Sequence, residues 1–290
     1  MILAAASLMA MAACTACGSK AAAEADKNNA EMTDSNIKKT NDAKIDVATT
    51  AGNFTILLYG DTPKHRDNFI KLVKEGYYNG TLFHRVIKEF MIQAGDPDSR
   101  NAAPGQRLGA GGPDYKVDAE ILFPKHFHKR GALAAARQGD QVNPLKQSSG
   151  SQFYVVTGRK VSEGELGQLQ NQLDGKRKQK IFNELALAHR DSIIAMQKRG
   201  DYDGLRALQD TLVKQTEEKA ASMPEVTLTD EMRNAYTTVG GAPHLDGDYT
   251  VFGEVISGMD TIDKIEKSET DSSDRPREDI KIISMKVVSE

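Results

Sequence analysis

The chain has 290 residues, 39% of them hydrophobic, and a formal net charge of −3. That is enough apolar material for one large or two small packed domains, while the slightly acidic balance gives no electrostatic footprint for nucleic acid. Both cysteines, Cys14 and Cys17, fall within residues 1–17, which excludes a disulfide framework or a thiolate zinc site from the remainder.

Residues 2–13 form an apolar run that is too short to span a bilayer and reads as the core of a secretory signal. It ends in Met11-Ala12-Ala13-Cys14, which resembles the lipobox of bacterial lipoproteins, where the cysteine becomes the lipidated first residue of the mature chain. Cys17, after Thr15-Ala16, is the alternative. The expectation is a protein of the bacterial cell envelope, lipid-anchored, with its folded part outside the cytoplasm. Residues 18–43 are rich in Ala, Lys, Asn, Asp and Glu and nearly lack large apolar side chains. Such a composition cannot bury enough to order itself, so the segment reads as a linker spanning roughly 25–30 Å.

The folded part is predicted over residues 44–290. Lys44–Thr50 and Asn53–Tyr59 alternate apolar and polar about Ala51-Gly52, a hairpin pattern. Thr62-Pro63 opens a helix with Phe69, Leu72 and Val73 on one face, and Gly76 ends it. Next come two short strands, Leu82–Ile87 and Phe90–Gln93, about a bend at Lys88-Glu89. Period-two alternation places Phe83, Arg85 and Ile87 on one face, and Met91 and Gln93 on one face. An arginine, a methionine, a glutamine and a phenylalanine can therefore converge on one patch of sheet.

Residues 95–115 form a long loop containing Leu108-Gly109-Ala110-Gly111-Gly112-Pro113. Without a following Lys-Ser/Thr, this run reads as a shaped loop that needs positive φ, not as a phosphate cradle. His126 and His128 lack the further Cys, Asp or Glu spacing of a metal site, so a surface or capping role is expected. Ala132–Ala136 and Gln152–Thr157 read as buried strands. From about 161 to 229 the composition turns to Gln, Lys, Glu, Leu and Ala with helical periodicity. Phe182, Leu185, His189, Ile193 and Met196 make one stripe; Leu205, Leu208 and Leu212 make another. Gly200-Asp201-Tyr202-Asp203-Gly204 breaks them, which predicts an inserted α-helical hairpin. Its stripes are expected to pack on each other or on the sheet, the alternative being a surface for a partner protein. Tyr249–Ile256 reads as a strand, Ser257-Gly258-Met259-Asp260 as a capping box opening a last helix, and Asp279–Val288 as a closing strand.

Three blocks, Phe83-His84-Arg85-Val86-Ile87-x-x-Phe90-Met91-Ile92-Gln93, Gly150-Ser151-Gln152-Phe153-Tyr154 and His244-Leu245-Asp246-Gly247-x-Tyr249-x-Val251-Phe252-Gly253, occur in this order. Together they resemble the cyclophilin family of peptidyl-prolyl cis–trans isomerases over roughly 45–157 and 240–288. The resemblance implies a mainly β fold: a closed antiparallel eight-stranded barrel capped by two helices, here interrupted by the helical insertion. It implies rotation of X–Pro bonds in exported or unfolded polypeptide clients, without cofactor or metal. It assigns Arg85 to the twisted amide and Gln93 to the substrate backbone and to orienting Arg85. Phe90, Met91, Tyr154 and Leu245 become the walls of a proline pocket. Ala136 and Arg137 meet the residue before proline through the main chain, and Gln152 is a further polar wall. Arg137 stands where the family has Asn, Tyr154 where Phe is common, His244 where many members have Trp, and Tyr249 where many have His. The competing reading is a non-catalytic peptide-binding or chaperone lipoprotein that works through the insertion.

Overall fold

The computed structural model describes residues 42–223 and 227–289. The signal and lipobox region and nearly all of the linker lie outside them. The described residues divide into two compact units, 42–173 with 227–289 and, within the insertion, 174–223.

The larger unit is built on a curled eight-stranded antiparallel sheet, a half-barrel. Its strands are β1 (Ala43–Thr49), β2 (Gly52–Leu58), β3 (Arg85–Ile87), β4 (Met91–Ala94), β6 (Ala132–Ala135), β8 (Phe153–Val156), β9 (Val251–Ser257) and β10 (Ile282–Ser289), in the order β10-β1-β2-β9-β6-β8-β4-β3. Two short strands, β5 (Lys116–Val117) and β7 (Ser148–Ser149), pair separately. The ladder ends at β10 on one side and β3 on the other, where a closed barrel was expected. Beside those ends, Phe83 N–H donates to the Ile280 carbonyl, Ile282 N–H donates to the Thr81 carbonyl, and Leu82 bridges Lys281.

The uninterrupted apolar runs of β6 and β8 follow from a sheet covered on both faces. Leu133, Ala135, Phe153 and Val155 turn to the main core, with Phe69, Leu72 and Val73 of helix α1 (Pro63–Lys74) and Ile262 and Ile265 of a helix near the C-terminus. Ala132, Ala134, Tyr154 and Val156 turn the other way and join Met91, Ala242 and Val251 in a second cluster. Each large side chain fully withdrawn from water contributes about 1.5–3 kcal/mol.

Several expectations change. The first motif block is not one alternating strand: β3 begins only at Arg85, so Phe83 packs in the core with Val86 instead of sharing a face with Arg85. His128 is not at the surface; it is 1% exposed and hydrogen-bonded inside the unit. Among the described residues of 161–229 there are three helices, α2 (Glu163–Ala188), α3 (Arg190–Arg199) and α4 (Tyr202–Ser222), where a hairpin of two was expected. The extra break falls at His189, whose N–H is shared between the carbonyls of Leu185 and Ala186. In the smaller unit the two stripes pack on each other through Phe182, Ile193 and Leu212, and Gly200 ends α3 at φ 70.

A further helix, α5 (Asp230–Thr238), follows in the larger unit and is capped by the Thr229 hydroxyl, which accepts from Met232 N–H. Its Met232 and Tyr236 pack with Leu166, Leu169 and Leu173 from the start of α2. The last helix, α6 (Met259–Glu266), has Gly258 at its N-cap with φ 82 and no side-chain cap, so the Ser257 capping box does not form. At Gly258 a Cβ would lie 2.4 Å from the Asn53 carbonyl oxygen, and that crowding together with the left-handed φ requires glycine.

Candidate active site

The β3–β4 hairpin turns through Glu89, which has φ 59, a region that non-glycine residues seldom occupy. The Glu89 N–H is held by the Glu266 carboxylate at 2.7 Å. The hairpin register then sets Arg85 opposite Gln93 and Ile87 opposite Met91. β8 places Tyr154 opposite Gln93, and β6 places Ala134 opposite Tyr154. Directly paired residues share a face, so Arg85, Gln93, Tyr154 and Ala134 form one row across four strands.

Arg85, Gln93 and Tyr154 of this row line a cavity of about 440 Å³. Nine of the eleven residues expected at the site line it: Arg85, Phe90, Met91, Gln93, Ala136, Arg137, Tyr154, Leu245 and Tyr249. Its apolar side comes from the second hydrophobic cluster, with Phe90, Leu245 and Tyr249 packed on Met91 and Tyr154. Gln152 stands behind this wall, 6% exposed. His244 sits at the rim, its ring 5.3 Å from that of Phe90.

A line of side-chain amides orients the polar end. An Arg85 guanidinium nitrogen lies 3.5 Å from Gln93 Oε1, Gln93 Nε2 donates to Gln152 Oε1 at 2.9 Å, and Gln152 Nε2 donates to the carbonyls of Gly109 and Gly111 at 3.0 and 2.7 Å. The glycine-rich loop is in turn pinned by Asp96, which accepts from the N–H groups of Gly109 and Gly111. A Cβ on Gly111 would sit 2.2 Å from Asp96 Oδ1. Gly111 therefore serves close packing behind the site, while Gly109, at φ 95, supplies the positive φ expected of this loop. On its other side Arg85 meets Asp274, with Nε 3.5 Å from the carboxylate.

The departures from the family pattern have structural partners. The Arg137 guanidinium lies over the Tyr249 ring, 4.4 Å from its centroid, and bonds the Asp248 carbonyl and the Asp140 carboxylate. The Ala136 N–H donates to the Gln152 carbonyl, and the Ala136 carbonyl accepts from Ser149 N–H, so the main-chain donor of Ala136 is already used within the protein. The Tyr154 hydroxyl lies 3.1 Å from His128 Nε2. Burial pushes the Tyr154 phenol well above its ordinary range and keeps it neutral. His84, 3% exposed at the cavity wall, is pushed below the ordinary histidine value by burial.

Sequence reasoning missed Asp96, Asp274 and the buried Tyr236, Asp246 and His128 behind the wall. For Asp96, the glycine-rich loop was the available signal. Asp274 lies in an irregular C-terminal loop and carried none.

The family model for cyclophilin type peptidyl-prolyl cis-trans isomerases matches residues 44–218 and 168–287. A Staphylococcus saprophyticus relative named as a peptidyl-prolyl cis-trans isomerase is 32% identical over 251 residues, which is 86% of this chain and 93% of the relative. A Streptococcus pyogenes relative, named as a bifunctional phosphatase and peptidyl-prolyl cis-trans isomerase, is 29% identical over 249 residues; these are 84% of this chain and 38% of that larger protein. A Cryptosporidium parvum cyclophilin structure superposes with a TM-score of 0.49 at 21% identity, over 86% of this chain and 99% of that one. The chain belongs to the cyclophilin-type peptidyl-prolyl cis–trans isomerase family. Its activity is the rotation of X–Pro peptide bonds.

Proposed function

We propose that Arg85 catalyses the rotation by donating to the prolyl nitrogen of the twisted amide. Rotation breaks no covalent bond, so no nucleophile or proton-transfer pair is required. The obstacle is amide resonance, with a barrier of ~18–20 kcal/mol. Twisting returns the lone pair to nitrogen, and a donor aimed there binds the twisted state better than either planar one. The observation that carries this reading is the placement of Arg85 at the polar end of an apolar cavity, between Gln93 and Asp274. Phe90, Met91, Tyr154 and Leu245 would hold the pyrrolidine ring. Because the Ala136 N–H is engaged internally, main-chain contact to the residue before proline falls to Arg137.

The test is Arg85→Ala on a proline peptide. Loss of a charged hydrogen bond worth about 1.5–3 kcal/mol lowers kcat/KM by about 10- to 150-fold, with far-UV circular dichroism unchanged. Wild-type activity in that variant overturns the assignment.

The closed-barrel reading of the sheet is supported by the Leu82–Lys281 bridge beside its two ends. The lipid anchor is supported by Met11-Ala12-Ala13-Cys14 and the polar linker after it. This places the isomerase in the bacterial cell envelope, acting on exported chains. Labelling with radioactive palmitate tests the anchor: label lost in Cys14→Ala supports it, label retained there but lost in Cys17→Ala moves it to Cys17, and no label in the wild type refutes it.

A further inference from the structure

Beside the proline cavity lies a second groove of about 280 Å³, and Phe90 lines both. One wall of the second groove is Glu165, Gln168, Leu169 and Gln172 at the start of α2. Their spacing i, i+3, i+4 and i+7 puts them on a single helix face. The floor includes Gly241, Pro243 and His244, from the segment that also supplies Leu245 to the proline cavity. The first turn of α2 is fixed by a capping box: the Glu165 carboxylate accepts from Ser162 N–H at 2.9 Å while pairing with Arg159.

We infer that this groove is an extension of the substrate site that binds the extended client chain following the proline. The inference rests on reading the Arg85 cavity as the proline groove. Three observations on the molecule support it. Phe90 lines both the groove and the proline cavity, so the two are neighbours on one surface. Ala136 and Arg137, which are assigned to the chain preceding proline, do not line the groove. Its chemistry suits a peptide main chain: Leu169 and Phe90 offer apolar contact, and exposed Gln168 and Gln172 each carry an amide donor and acceptor. Arg159 and Glu165 pair with one another, which leaves the exposed Glu89 carboxylate as the remaining charge in the lining, so selection of client side chains by charge is weak. The start of the inserted helix thus lengthens the groove instead of shielding it, with a preference for chain length and little preference for sequence.

The test compares two proline peptides on the full chain, one ending just after proline and one extended by about four residues on that side. A subsite worth about 1.4 kcal/mol gives the longer peptide an advantage of about tenfold in kcat/KM. Gln168→Ala with Gln172→Ala preserves the helix, and Gln172→Trp fills the groove. Both are expected to reduce the advantage to within about twofold and to leave the short peptide unchanged. An unaltered advantage in both variants, or an advantage that requires extension before proline, overturns the inference. A wild-type chain that accelerates neither peptide overturns the proline-groove reading and this one with it.

Discussion

The hydroxyl of Tyr236 donates to the Asp246 carboxylate at 2.5 Å, with both residues buried. The other Asp246 oxygen takes the His128 N–H and lies 2.9 Å from His128 Nδ1, and His128 Nε2 reaches the Tyr154 hydroxyl in the cavity wall. A buried polar chain therefore runs from α5 to the floor of the site. Removing one member strands the next, at about 1–3 kcal/mol. Tyr236→Phe is expected to lower stability by that amount in urea denaturation. Stability equal to wild type would mean that Asp246 finds another donor.

Tyr154→Phe removes the last hydroxyl of that chain and keeps the ring. Stability is expected to fall by about 1 kcal/mol, while kcat/KM for a proline peptide stays within about threefold, equivalent to less than about 0.7 kcal/mol. A loss beyond about tenfold would show that the hydroxyl, and not only the ring, meets the substrate.

Asp274 has φ 63, and its carbonyl also accepts from Val86 N–H at 2.8 Å. Asn tolerates that left-handed backbone, so Asp274→Asn removes the charge beside Arg85 with little other change. Half-exposed ion pairs contribute about 0–1 kcal/mol, which sets the expected loss in kcat at up to about fivefold, with KM little altered. A rise in KM at constant kcat would assign Asp274 to substrate binding instead.

His84 supplies a pH dependence. Burial holds its pKa below the ordinary value, so near neutral pH and just below it the unfolded chain binds more protons than the folded one. Stability contributed by neutral His84 is complete above about pH 6.5 and falls as pH drops below it, at no more than about 1.4 kcal/mol per pH unit. Denaturation midpoints between about pH 7.5 and 5.5 should fall more steeply for wild type than for His84→Gln. Parallel profiles would remove His84 as the cause.

The insertion divides at Leu173. Leu166, Leu169 and Leu173 belong to the larger unit's packing, and Leu228 N–H donates to Gln170 Oε1 at 2.9 Å, so the chain returns close to where it left. Replacing residues 174–225 with a short linker is expected to leave folding and short-peptide activity intact. Deleting 161–229 strips buried leucines worth about 2–5 kcal/mol each and is expected to unfold the domain. Equal behaviour of the two deletions in a melting experiment would overturn this boundary.

Much of this was legible where local pattern and tertiary role coincide. The runs Ala132–Ala135 and Phe153–Val156 read as buried strands because both of their faces are covered, and the hairpin register at Lys88-Glu89 brings Arg85 to Gln93 as alternation predicts. Alternation failed at Phe83 because the ladder begins two residues later. The break at His189 left no signature, since histidine is no helix breaker and the break shows only in one N–H shared between two carbonyls. Gln152 resembles a wall residue in sequence, yet its amide is spent on Gln93 and the glycine loop. Asp274 and Tyr236 reach the site from segments far along the chain, and such proximity is a property of the fold alone.

The position of β9 between β2 and β6 also bears on how this molecule is made. The strand that joins the two halves of the sheet is synthesised only after the whole insertion. Until it leaves the ribosome, β2 and β6 each present an unpaired edge, the feature most prone to mispairing with other chains, and the delay grows with every residue inserted before β9. An isomerase of X–Pro bonds is thus a late finisher itself. Substitutions that weaken β9 should lower its yield from cells before they touch its catalytic rate.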